Sequence, residues 1–179
     1  SIHSVGSVKN SESPPNTFGH CEFDTHADTC VMGKNFVPLH FTGRVCDVQP
    51  YSETYESEKD VPIATGATAY TNRNTVAVYI LVVNEGLWFG PKLDHSLLNP
   101  NQLRHHGLDV WDNPFDKSKA LSIQSRGGVS IALKFEGTVL FADTRTPTQH
   151  ELDTLPHIHL TCENDWNPRT VTLSSVSRS

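Results

Sequence analysis

The sequence predicts a mainly β fold, and three observations carry that prediction. Residues 75–83 (TVAVYILVV) are rich in β-branched side chains and apolar on both faces, as a buried central strand requires. Gly127-Gly128 and Glu136-Gly137 each divide short apolar runs, the punctuation of β-hairpins. Helical signals are confined to two short stretches, one opening at Asn99 and one at Thr146-Pro147-Thr148-Gln149.

In chain order, residues 18–23 predict a strand that runs into a turn at Asp24. Residues 30–32 restart an apolar segment, which Gly33 ends. Short strands are expected over 36–41 and 43–48. Residues 51–60 (YSETYESEKD) are acidic and aperiodic, so they read as a loop or hairpin tip. A strand is expected over 61–70, with Pro62 near its start, where a missing donor is tolerated. Thr71-Asn72-Arg73-Asn74 predicts a turn before the central strand, and Asn84-Glu85-Gly86 a turn after it. Residues 87–89 follow as a short apolar segment.

The helix after Leu97-Leu98 is well marked. Asn99 can cap it, Pro100 suits its first position, Gln102 can reach back to the cap, and Gly107 ends it. Beyond it, strands are expected over 108–111, 121–124, 129–135 and 138–141, a second short helix to about Leu152, and a last strand over 157–162. Residues 1–17 are Ser-, Asn- and Pro-rich and read as a linker or disordered tail; residues 169–179 read as a flexible tail. One domain over 18–168 is therefore expected, and no internal repeat is evident.

The chain has 179 residues, enough for one sizeable core. Its 14 basic and 20 acidic residues give a net charge of -6, which argues against a nucleic-acid binder. No apolar run approaches the roughly 20 residues of a membrane span, and no secretory signal is visible. Ser1 in place of Met reads as the start of a processed fragment or of a trimmed chain. Cys21, Cys30, Cys46 and Cys162 show no paired spacing, so reduced thiols in a cytoplasmic setting are expected.

The chemistry-bearing stretch is Cys21-Glu22-Phe23-Asp24-Thr25-His26-Ala27-Asp28-Thr29-Cys30. Phe23-Asp24-Thr25-His26-Ala27 resembles the Asp-Thr/Ser-Gly-Ala loop of retroviral-type aspartic proteases. His95-Ser96-Leu97-Leu98-Asn99-Pro100-Asn101-Gln102-Leu103 resembles the segment before the single helix of that fold. The combination is most similar to the protease region of copia-type LTR retrotransposon polyproteins, where an apolar-Leu-x-x-x-Gln-Leu element follows the aspartate loop by some seventy residues. Here 73 residues separate Asp24 from Leu97. The resemblance covers roughly residues 18–110.

It implies a retropepsin-like closed β-barrel with one or two short helices, carrying a C-terminal β extension from about residue 111. It implies an aspartic endopeptidase that cuts its own polyprotein inside the cell, in a retroelement particle, without a cofactor or metal. Asp24 would be catalytic. Thr25, His26, Ala27 and Asp28 would form the active-site loop, with Thr25 holding it through a hydroxyl bond across a dimer and Asp28 binding substrate backbone. The chain departs from the family twice. His26 replaces the glycine that lets substrate backbone approach closely. The expected flap tip at 51–60 has no glycine and carries Glu53, Glu56, Glu58 and Asp60.

Aspartic protease chemistry needs two adjacent carboxylates sharing one proton, because like charges that close cannot both ionise. One copy of the loop therefore implies a homodimer with one Asp24 per subunit. Asp143-Thr144, following residues 139–142, is the one candidate for a second lobe within the chain. Two readings of other classes compete. His20, Cys21, Asp24, His26, Asp28 and Cys30 lie within eleven residues and mix zinc-preferring donors, although no standard zinc spacing is present. A catalytically silent dimerisation domain, with His26 obstructing the cleft, is the other.

Overall fold

The computed structural model describes residues 12–25, 29–50, 58–162 and 170–173. The strands are β1 (Phe18–Phe23), β2 (Val31–Met32), β3 (Val37–Pro50), β4 (Glu58–Thr71), β5 (Val78–Trp88), β6 (Ser96–Leu98), β7 (Asp109–Trp111), β8 (Ser122–Gln124), β9 (Ser130–Ala132), β10 (Lys134–Glu136), β11 (Val139–Arg145), β12 (His157–His159) and β13 (Thr170–Leu173). Two six-residue helices, α1 (Pro100–His105) and α2 (Gln149–Thr154), complete the set with a 3-10 turn at Gly90–Lys92. The mainly β expectation is met. No helix of the described residues is long and apolar enough to cross a membrane.

The main sheet runs β10-β11-β1-β6-β2-β5-β4-β3-β13, and β12 also pairs with β5. A single pairing, Arg145 with Ala69, links β11 back to β4, so β11, β1, β6, β2, β5 and β4 form a ring. A separate small sheet, β7-β8-β9, packs against it. Leu108, Val110, Ile123, Ile131 and Leu133 of that region share one buried cluster with Met32, Phe36, Leu81, Leu98 and Leu103. The backbone amide of Ala132 donates to the Tyr70 hydroxyl at 2.9 Å, a further tie between the two sheets. The segment after residue 111 thus shares the core, and its strand β11 lies beside β1.

Several expectations are corrected. The two strands expected over 36–41 and 43–48 are one strand, β3, whose register against β4 shifts three times. Gly43, at a positive φ of 84°, lies inside one of these irregularities and marks a bulge, not a break. Likewise Asn84-Glu85-Gly86 does not turn the chain: β5 runs through it to Trp88. Glu85 adopts a φ of 55° there, and the Asn84 amide donates to the Thr161 hydroxyl at 2.9 Å while its side chain donates to the Thr161 carbonyl at 2.8 Å. The polar residues that suggested a turn serve as a bulge and a docking point for the chain after β12. β5 starts at Val78, because Val76 sits at a φ of 61° in the turn before it.

Parts of both expected tails are among the described residues. The Thr146 amide donates to the Thr17 carbonyl at 2.9 Å, and the Thr146 hydroxyl donates to the Pro14 carbonyl at 2.6 Å, so residues 14–17 are held against the end of β11. Residues 170–173 pair in parallel with β3 as β13. The strand expected over 157–162, β12, stops at His159, although Thr161 remains buried.

Candidate functional site

The site is built where β1 and β2 part. Strand β6 enters between them, parallel to β1 (Cys21 with Ser96, Phe23 with Leu98) and antiparallel to β2 (Val31 with Leu97). A chain that leaves β1 and returns as β2 must therefore cross the end of β6. Asp24 is the first residue of that crossing. Its amide donates to the Leu98 carbonyl at 3.0 Å, and the residue is 6% exposed. Thr25 lies at the turn and is exposed. His26, Ala27 and Asp28 lie outside the described residues, as do residues 51–57 of the flap tip expected at 51–60, whose last three residues belong to β4.

The far end of the crossing is fixed by α1. Gln102 Oε1 accepts the Cys30 backbone amide at 2.7 Å. The expectation that Gln102 reaches back to its own helix cap is corrected: Asn99 caps through the Asn101 amide at 2.9 Å, and Gln102 serves the loop. The Asn99 amide in turn donates to Cys30 Sγ at 3.4 Å. Leu103 is fully buried beneath. Each member of the Leu97-Leu98-x-x-x-Gln102-Leu103 element thus has a physical role. The leucines separate β1 from β2, Gln102 ties the loop, and Leu103 anchors the helix.

A buried polar network underlies this arrangement. Asn35 Nδ2 donates to Thr144 Oγ1 at 2.8 Å and contacts Cys21 Sγ at 3.4 Å, while Ser96 Oγ donates to Asn35 Oδ1 at 2.5 Å. Gly33 donates its amide to Ser96 Oγ at 2.8 Å. A Cβ on Gly33 would lie 2.6 Å from the Leu93 carbonyl oxygen, so only glycine permits this close pass. Thr68 completes the network, its hydroxyl 2.7 Å from Thr144 Oγ1. Asn35 beside Gly33-Lys34 reads as a turn residue, and no local signal announces that it joins β1, β4, β6 and β11.

Of the competing constellations, the described residues include Asp143 and, from the Cys/His set, His20, Cys21, Asp24 and Cys30. Asp143 lies mid-strand in β11, opposite His20, four residues from Asp24 along the partner strand. At ~3.3 Å per residue that is about 13 Å, too far for the two carboxylates to share a proton. Its side chain faces His20 and Lys134 instead. Of the Cys/His set, Cys21 and Cys30 are buried and free of disulfides, and burial pushes their thiols up to about 11 and about 12. His20 alternates to the other face of β1 from Cys21. There it meets Glu22 and His95, one donor atom of each lying within 4.8 Å of the others. The sequence reading missed this trio, because His95 reaches it only through the β1–β6 pairing.

A pocket of about 350 Å³ lies elsewhere, lined by Tyr79, His106, Arg126, His157 and His159 among others, and includes neither Asp24 nor Thr25. No family model matches the sequence, and no curated protein or solved structure matches it either.

Proposed function

We propose that the chain is an aspartic endopeptidase, active as a homodimer in which each subunit contributes one Asp24, and that it processes the polyprotein of a retroelement to which it belongs. The observation that carries this reading is the placement of Asp24: a buried carboxylate residue where the chain leaves β1, pinned by its amide to Leu98 and flanked by a strand inserted between β1 and β2. Two copies related by a two-fold axis would set two Asp24 side chains face to face.

In that arrangement the pair holds a single proton, since two carboxylates in contact cannot both ionise. The ionised member accepts a proton from a water positioned between them. That water attacks the peptide carbonyl carbon, and the protonated member donates to the carbonyl oxygen. Breakdown of the tetrahedral adduct returns a proton to the leaving nitrogen. Thr25, exposed at the turn, would brace the partner's loop through its hydroxyl. The hairpin of β3 and β4 would close over the substrate.

The test is cleavage of a peptide library, and of the chain's own flanking polyprotein sequence, by wild type and Asp24→Asn at several pH values. Loss of cleavage with an unchanged melting temperature is expected. Full activity in Asp24→Asn would end the protease reading. A wild-type dimer that cuts nothing at any pH would identify the chain as a catalytically silent dimerisation domain.

A further inference from the structure

We propose that His20, Glu22 and His95 form a binding site for one divalent transition-metal ion of the zinc class. It is independent of the protease reading.

The site is built by register. His20 and Glu22 are two apart on β1 and share one face. Cys21 pairs with Ser96 and Glu22 with Leu97 in the parallel β1–β6 ladder, which brings His95, just before β6, alongside them. Glu22 Oε2 lies 3.9 Å from His20 Nδ1 and 3.7 Å from His95 Nδ1. These separations are too long for hydrogen bonds. They are close to the separation of two ligands on one ion: bonds of about 2.0–2.1 Å at tetrahedral angles place donor atoms about 3.3–3.4 Å apart. The two Glu22 separations need to close by about 0.3–0.6 Å, and all three donor atoms already lie within 4.8 Å of one another.

Three further observations point inward. His95 Nδ1 is buried and has no hydrogen-bond partner among the described residues. An orphaned ring nitrogen facing a carboxylate oxygen is satisfied by a cation between them. His20 turns its other ring nitrogen, Nε2, to Asp143 Oδ1 at 3.2 Å. This is the outer carboxylate that orients a metal-bound histidine and leaves the opposite nitrogen as the donor. Asp143 is itself held by Lys134. The His20 ring is also fixed by stacking, 4.0 Å from the Phe141 ring on one side and 5.1 Å from His95.

The donor set chooses the ion. Two imidazoles and one carboxylate suit zinc and its neighbours, whereas magnesium and calcium prefer all-oxygen shells. Side-chain exposures of 37%, 22% and 40% leave the site half-open, with room for a water as fourth ligand. An ion there would join β1 to β6 immediately before the two strands reach Asp24 and Leu98.

The experiment titrates the full chain with zinc chloride by calorimetry, and with cobalt(II) followed by its visible absorption. One equivalent per chain should bind, with a rise in melting temperature, and magnesium at the same concentration should do neither. His20→Ala and His95→Ala should each weaken binding more than about tenfold, and Asp143→Asn by about 10–100-fold. His106→Ala and Cys162→Ser, which alter an exposed His–Cys contact outside the site, should leave affinity unchanged. Absence of saturable zinc binding overturns the proposal. So does binding that survives both histidine variants, or that disappears in Cys162→Ser. Should the alanine variants fail to fold, Glu22→Gln preserves size and decides: unchanged affinity in it overturns the site.

Discussion

Gln102 on α1 accepts the backbone amide of Cys30 at 2.7 Å, across 72 residues of sequence. The helix is only six residues long and too short to be stable alone. Its value to the molecule is positional: it carries one acceptor to the amide where the Asp24 crossing rejoins the sheet.

Gln102→Ala would therefore leave a partly buried amide without its acceptor, at a cost of about 1–3 kcal/mol. Urea unfolding should show that loss, and Gln102→Glu, which keeps an acceptor at the same reach, should recover part of it. Peptide cleavage should fall in Gln102→Ala even at temperatures where the chain remains folded, because the loop bearing Asp24 loses one of its fixed ends. Equal stability of wild type and Gln102→Ala would show the contact to be incidental.

The local signals were legible in the sequence wherever a single segment decides its own structure. Asn99 and Pro100 start α1, Gly107 ends it at a φ of 90°, and Thr148 with Glu151 closes a full capping box on α2. The crossing at Asp24 was legible only because its residue types were joined to Leu97-Leu98 at a distance. What failed to show was pairing between remote segments. Parallel ladders such as β1–β6, β12–β5 and β13–β3 need long connections and leave no turn between the partners. The trio of His20, Glu22 and His95 depends wholly on the first of these. Bulges misled for a related reason: Gly43 and Asn84-Glu85-Gly86 carry the composition of turns, yet flanking strands hold them in line.

Thiol reactivity should separate one cysteine from three. Cys21, Cys30 and Cys46 are buried and Cys162 is exposed. Desolvation raises the first three thiols above the ordinary value, most strongly at Cys30, so the reactive thiolate is scarce at each. At pH 8 a chromogenic disulfide reagent should modify Cys162 rapidly and the others only on denaturation. Cys162→Ser should abolish the fast phase. A fast phase that includes Cys21 or Cys30 in folded protein would contradict the burial of the Asp24 crossing's flanks.

Acid stability should carry the signature of one ion pair. Arg145 donates two bonds to Glu151, at 2.8 and 2.7 Å, and joins the end of β11 to the first turn of α2. This pairing holds the Glu151 carboxyl at about 2, below its usual 4.5. A carboxyl depressed in the folded state stabilises the fold above its unfolded value, and that contribution is lost as pH falls through the folded value. The stabilisation is thus complete above about pH 4.5 and declines toward pH 2. Glu151→Gln should flatten the urea midpoint over that interval and cost about 1 kcal/mol or less at neutral pH, since the pair is partly solvated. An unchanged slope between pH 2 and 5 in the variant would place the acid sensitivity elsewhere.

Mixing experiments test the sharing of the active site directly. If each subunit supplies one Asp24, a heterodimer of wild type and Asp24→Asn lacks one of its two carboxylates and cannot share a proton between them. Random exchange in an equal mixture leaves about a quarter of the dimers wild type on both sides. Activity per wild-type chain should then drop to about half that of wild type alone, and further as the variant is added in excess. Dilution of wild type should likewise lower activity faster than linearly near the dissociation constant. A monomeric enzyme behaves otherwise on both counts. Its activity is indifferent to added Asp24→Asn and proportional to concentration, and that pair of results would show that a single chain completes the site.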